Sequence, residues 1–139
     1  MSRMMELLAR KASGIAERAE ERADSTAVVS AIRAARCDLS DEKRTQADIR
    51  DALTAAGIPF EREFRLGAGD IVDFLAYGSI AVEVKLKGAA KRSIFKQLKR
   101  YAAHDAVRAV VLVTNLSMGL PAEIAGKPAY YVSLGRAWL

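Results

Sequence analysis

The sequence predicts an α/β domain preceded by a helical arm, and three observations carry that expectation. First, Ile80-Lys87 alternates Ile80, Val82, Val84 and Leu86 against Ala81, Glu83, Lys85 and Lys87, the two-residue period of a strand. Second, Lys91-Asp105 places Ile94, Leu98, Tyr101 and Ala102 on one helical stripe. Third, Arg108-Thr114 is an aliphatic block of a buried strand's length. The 139 residues amount to one domain, and 51% hydrophobic with 28% charged residues excludes wholesale disorder. No aliphatic run approaches the ~20 residues needed to cross a bilayer. Met1-Ala12 has no apolar block of a secretory signal's length. The single Cys37 fits a reducing compartment, so a cytoplasmic setting is expected.

Residues 1–37 are rich in Ala, Glu and Arg, lack Pro, and predict helix. Met5, Leu8, Ala12, Ile15 and Ala19 follow a 3,4 spacing that Arg22 breaks. Two heptads suit an amphipathic helix lying on its own domain or an arm that forms a homodimer. A second apolar patch at Val28, Val29 and Ile32 suggests two helices with a break near Asp24-Ser25. The remaining residues, 38–139, form the predicted domain proper. Ser40 is the expected N-cap of a helix running to Ala56, ended by Gly57 with Pro59 beyond. Its stripe of Ile49, Leu53 and Ala56 extends backward to Gln46 and Glu42, an amide and a carboxylate in line with the core-facing side.

Three strands are expected next. Phe60-Leu66 places Phe60, Phe64 and Leu66 on one face. Asp70-Tyr77 is apolar on both faces apart from its acids, and Ile80-Lys87 follows. After the helix and the strand Arg108-Thr114, Pro121-Ile124 suggests one helical turn and Ala129-Ser133 a last strand, with Trp138-Leu139 tucked onto the core. The order after residue 38 is α-β-β-β-α-β-(α)-β.

Asp73, Glu83 and Lys85 form the chemical constellation. Glu83 and Lys85 share a strand face about 6.7 Å apart. If Tyr77-Gly78-Ser79 is a three-residue hairpin loop, Ala76 opposes Ile80 and Asp73 falls opposite Glu83, with Cβ atoms ~5 Å apart. Two carboxylates that close repel unless a hard cation sits between them. A two-residue loop would send Asp73 to the wrong face. Asp70, by the same arithmetic, lies opposite Leu86 and points to the other face unless a bulge intervenes. Two carboxylates holding Mg²⁺ beside a lysine suit phosphodiester hydrolysis. An ion pair between Glu83 and Lys85 is the plainer alternative.

Net charge is +5, and Val84-Ala103 contains Lys85, Lys87, Lys91, Arg92, Lys96, Lys99 and Arg100 with no acid. Such a one-signed stretch suits a polyanion or a solvated helix face. Its start beside the acids favours nucleic acid.

Gly69-Asp70-Ile71-Val72-Asp73-Phe74-Leu75, followed by Ile80-Ala81-Val82-Glu83-Val84-Lys85, resembles the PD-(D/E)xK nuclease superfamily. Gln97-Leu98-Lys99-Arg100-Tyr101 is similar to the Gln-x-x-x-Tyr motif of its RecB-like branch, and Glu42 stands where many members carry an extra acid. The resemblance covers about residues 38–134; no Pro precedes either Asp, and the motif alone leaves Asp70 and Asp73 open. It implies a restriction-endonuclease-like αβββαβ core with a mixed central sheet. It further implies Mg²⁺ (or Mn²⁺) held by Asp73 and Glu83 with Glu42 and the Val84 carbonyl, and a water oriented by Lys85. Gln97 would contact phosphate or position the lysine. Lys87, Lys91, Arg92, Lys96, Lys99 and Arg100 would track the DNA backbone. Tyr101 would pack structurally, bond the site or stack on a base. His104 is expected to be a solvent-facing or helix-end residue and Cys37 inert. The expected activity is a metal-dependent deoxyribonuclease, structure-directed or weakly specific, of a phage-borne or repair and recombination type. The alternative is a nucleic-acid-binding module that does not cut.

Overall fold

The structure is a computed structural model that describes residues 2–135. The expected placement of Trp138-Leu139 lies outside them. The described residues form α1 (Arg3–Ala34), α2 (Glu42–Ala55), β1 (Phe60–Gly67), β2 (Asp70–Ala76), β3 (Ile80–Lys85), α3 (Lys91–Ala102), β4 (Ala109–Thr114), β5 (Glu123–Ile124) and β6 (Lys127–Ser133). The six strands lie in the order β1-β2-β3-β4-β6-β5. Neighbours are antiparallel from β1 to β3, parallel from β3 through β4 to β6, and antiparallel again between β6 and β5. The architecture is therefore α/β with a mixed sheet.

Both faces of the sheet are covered. Val28, Ile32, Ile49 and Leu53 from α1 and α2 pack with Phe74, Val82, Val84 and Val111 on one face. Ile94, Leu98 and Tyr101 of α3 pack with Val72, Leu75, Ala81, Val110 and Leu112 on the other. The alternation read in β3 thus survives with both sides buried: Ile80, Val82 and Val84 face α1 and α2, and Ala81 faces α3. Its ladder ends at Lys85 rather than Lys87.

Four local expectations are corrected. Helix α1 has no break near Asp24-Ser25; it runs continuously from Arg3 to Ala34, about 48 Å at 1.5 Å per residue. The polar residues there are matched by distant partners. Arg108 pairs with Asp24 at 2.7 Å and also donates to Ser79 Oγ. Glu21 accepts from Ser25 and from the Tyr130 hydroxyl. The second half of α1 therefore belongs to the core, whereas the seam residues Met5, Leu8 and Ile15 are exposed. The cap of α2 is Asp41, which accepts from the Arg44 amide, and not Ser40. Pro121-Ile124 makes no helical turn; Glu123 and Ile124 pair with Pro128 and Lys127 as strand β5.

The fourth correction concerns faces. Phe60 packs with the α1/α2 cluster, but Phe64 and Leu66 pack with the α3 cluster. On β2, Phe74 lies on the α1/α2 side, while Val72 lies on the α3 side. Glu63 (φ 49°) and Asp73 fall at the missing step between the pairs Arg62–Phe74 and Phe64–Val72. Both strands lose one residue of alternation at the same level, so both switch faces without changing register.

Candidate functional site

The hairpin positions the site. Tyr77-Gly78-Ser79 is the loop, with Tyr77 (φ 52°) and Gly78 (φ 68°) left-handed, and Ala76 pairs with Ile80. Pairing between β2 and β3 continues to Phe74–Val82 and stops there. At the next step side chains replace the ladder. Asp73 Oδ2 accepts from the Val84 amide at 2.7 Å, and Glu83 Oε1 accepts from the Asp73 amide at 3.2 Å. Each acid thus satisfies a backbone donor on the opposite strand, and the two carboxyls meet at the open end of the hairpin.

Burial makes this pair consequential. Glu83 is 3% exposed, and burial pushes its carboxyl up to about 8, with the charge of Asp73 adding and that of Lys85 opposing. Burial also raises Asp73; the Val84 amide and Lys85 work against the rise, and the charge of Glu42 adds to it. Burial and mutual repulsion thus favour protonation of the pair in the absence of a cation.

Lys85 shares the face of Glu83 and brings Nζ to 3.5 Å from Glu83 Oε2. Tyr101 is buried, 1% exposed, and its hydroxyl donates to the Ile71 carbonyl at 2.9 Å and lies 3.3 Å from Glu83 Oε2. Its ring therefore cannot stack on a base, and its contact with the site is the hydroxyl. Burial, followed by the Glu83 charge, raises its pKa.

Asp70 does not lie on the far face. The face switch at Glu63 and Asp73 turns the start of β2 toward α3, where Asp70 takes Arg100 Nε at 3.1 Å and His104 Nε2 at 2.9 Å. His104 lies just past α3 and is half-buried against Asp70, not solvent-facing. The hydrogen bond from His104, then that from Arg100, holds the Asp70 carboxyl below its ordinary range. Asp70 is thus committed to a cation pair, and Asp73 is the acid that meets Glu83.

The residues around the pair divide into near and far. Lys85, Ser93, Lys96, Gln97 and Arg100 line a groove of about 360 Å³ beside the site. Lys87 is exposed, and its amide donates to Asn115 Oδ1. Lys91, Arg92, Lys96 and Lys99 line a second groove. Glu42 is exposed, and its charge is felt at Asp73, but it completes no ligand cluster. Among the described residues no group of three or more His, Cys, Asp or Glu is placed to hold a metal ion. Cys37 is buried and free, and burial pushes its thiol up to about 11, so it is a poor nucleophile.

The pair nevertheless fits a small hard cation. Asp73 and Glu83 offer oxygen donors only, and a divalent ion would offset the repulsion that raises both carboxyls. Mg²⁺ is commonly held by one or two carboxylates, with water or substrate phosphate completing its shell. Among the described residues no helix is long and apolar enough to cross a membrane. Comparison with protein-family models, curated proteins and solved structures finds no match to this chain.

Proposed function

We propose that this chain is a Mg²⁺- or Mn²⁺-dependent nuclease that hydrolyses DNA phosphodiester bonds, built on a restriction-endonuclease-like core of the PD-(D/E)xK kind. The observation that carries the reading is the meeting of Asp73 and Glu83 at the frayed end of the β2–β3 hairpin, with Lys85 Nζ 3.5 Å away. A carboxyl pair with this burial is costly to ionise, and a fold tolerates it where a cation is to be held. A bound divalent ion would supply Lewis acidity at the phosphate.

The chain's own groups would do the rest. Asp73 and Glu83 would hold the ion, with the Val84 amide and the Tyr101 hydroxyl fixing their orientation. Lys85 would orient the attacking water and offset charge on the pentacovalent phosphorus. Water adds to phosphorus, one P–O bond breaks, and the leaving oxygen departs as a hydroxyl. Gln97, Lys96 and Arg100 would receive the phosphates flanking the cut, since they line the groove beside Lys85. The basic residues of α3 would make binding strongly salt-dependent.

The test is incubation with plasmid, single-stranded and branched DNA in Mg²⁺ or Mn²⁺ and in chelator, with Lys85→Ala alongside. Metal-dependent cutting that the variant loses supports the reading. Salt-sensitive binding with no cutting by the unmodified chain would instead make it a nucleic-acid-binding module.

A further inference from the structure

Outside α1, the exposed large hydrophobic residues among those described are Ile71 and Phe95. Phe95 is 37% exposed on α3, in the basic stretch. It lies one helical step of four from Lys91 on one side and from Lys99 on the other. The two lysines therefore leave the helix about 6 Å before and after Phe95 along its axis. Arg92, Lys96, Met118 and Gly119 complete the lining of a groove of about 610 Å³, with no acid among its residues. Lys96 also lines the groove that holds Lys85, Gln97 and Arg100. Lys96 thus borders both depressions, the one beside Lys85 and the one that holds the Phe95 ring.

We propose that this second groove binds an unpaired stretch of nucleic acid, with a base stacked on Phe95 and the flanking phosphates on Lys91 and Lys99. The inference rests on the reading above, that the carboxylate end receives nucleic acid, and it specifies the substrate class. A duplex turns its phosphates outward and hides its base faces, so it uses the lysines but leaves Phe95 idle. A single strand offers both phosphates and π-faces, the combination displayed here. Phe95 is a base-stacking residue in this assignment, the part that the buried Tyr101 cannot play.

The test is fluorescence anisotropy with a labelled dT20 strand and with a blunt 20-base-pair duplex, in chelator so that no cutting occurs. Phe95→Ala, Phe95→Trp and Lys99→Ala are compared in the full chain, with folding checked by circular dichroism. Phe95→Ala is expected to weaken dT20 binding by about ten-fold and duplex binding by less than about two-fold, with Phe95→Trp restoring the strand. Lys99→Ala is expected to weaken both and to lower the salt slope. Equal losses on strand and duplex, or no loss, overturn the assignment. Absence of binding to either probe at low salt also overturns it and points to an acidic protein surface as the groove's occupant. Phe95-dependent strand binding without metal-dependent cutting would keep this inference and remove the nuclease reading. Duplex cutting that is indifferent to Phe95→Ala would do the reverse.

Discussion

Replacing Glu83 by glutamine should make the fold more stable at neutral pH while removing a cation ligand. The folded-state carboxyl is raised to about 8 from an ordinary 4.5, so the native state binds this proton more tightly than the unfolded chain does. The resulting stabilisation is complete below about pH 4.5, drains as pH rises, and is gone above about pH 8. At about 1.4 kcal/mol per pH unit, several kcal/mol are lost across that window, a large share of a typical 5–15 kcal/mol. Glutamine keeps the shape, accepts from the Asp73 amide through its oxygen, and donates its amide proton to the Asp73 carboxylate. It forfeits the attraction of Lys85 and changes the contact with the Tyr101 hydroxyl, which then accepts from the amide while donating to the Ile71 carbonyl. Urea unfolding in chelator at pH steps from 4.5 to 8.5 reads the effect. The variant should match the parent at pH 4.5 and exceed it by about 2–4 kcal/mol at pH 8. Added Mg²⁺ should raise the parent's stability above pH 6 and leave the variant's unchanged. A parent whose stability is flat from pH 4.5 to 8, or a variant weaker than it at pH 8, would show that Glu83 is not held protonated by its surroundings.

Three further outcomes follow from the packing. Tyr101→Phe leaves the Ile71 carbonyl without its hydroxyl donor and removes the hydroxyl 3.3 Å from Glu83 Oε2, and should cost about 1–2 kcal/mol in denaturant unfolding. Gly67→Ala would set its methyl 2.8 Å from His104 Cε1, against a ring held by Asp70; it should cost about 1–3 kcal/mol, and His104→Ala in the same chain should recover most of it. Removal of residues 1–13, which are exposed where described, should shift the melting temperature by less than about 3 °C.

How much of this was visible in the sequence differs from residue to residue. The alternation of Ile80 to Lys85 is a local pattern, and the Tyr77-Gly78-Ser79 turn is local chemistry. Together they predict the pairing of Ala76 with Ile80, and hence the meeting of Asp73 with Glu83. The face switch at Glu63 and Asp73 was not legible, because it arises from two strands losing alternation together, and period counting assumes each strand regular. Regular counting therefore places Asp70 on the opposite face and groups Phe60 with Phe64, whereas the switch separates Phe60 from Phe64 and turns Asp70 toward α3. Within continuous α1, Asp24 is paired with Arg108, 84 residues away, a partner that no window along the chain includes. Strand β5 exists through pairing with β6, since two residues carry no periodicity of their own. Phe95 carries a local signal in the sequence: an aromatic residue four positions from a lysine on either side, off the buried stripe of its helix.

The claim on which the account rests is that Asp73 and Glu83 form a cation site completed from solvent or substrate. Calorimetric titration of Mn²⁺ into the full chain at pH 7, in two buffers of different ionisation enthalpy, tests it without reference to any substrate. The account predicts binding with release of about one proton per ion, the proton that burial and repulsion favour on the pair, and loss of that binding in Asp73→Asn. Binding that releases no proton and survives Asp73→Asn, or no binding at millimolar Mn²⁺, would contradict it.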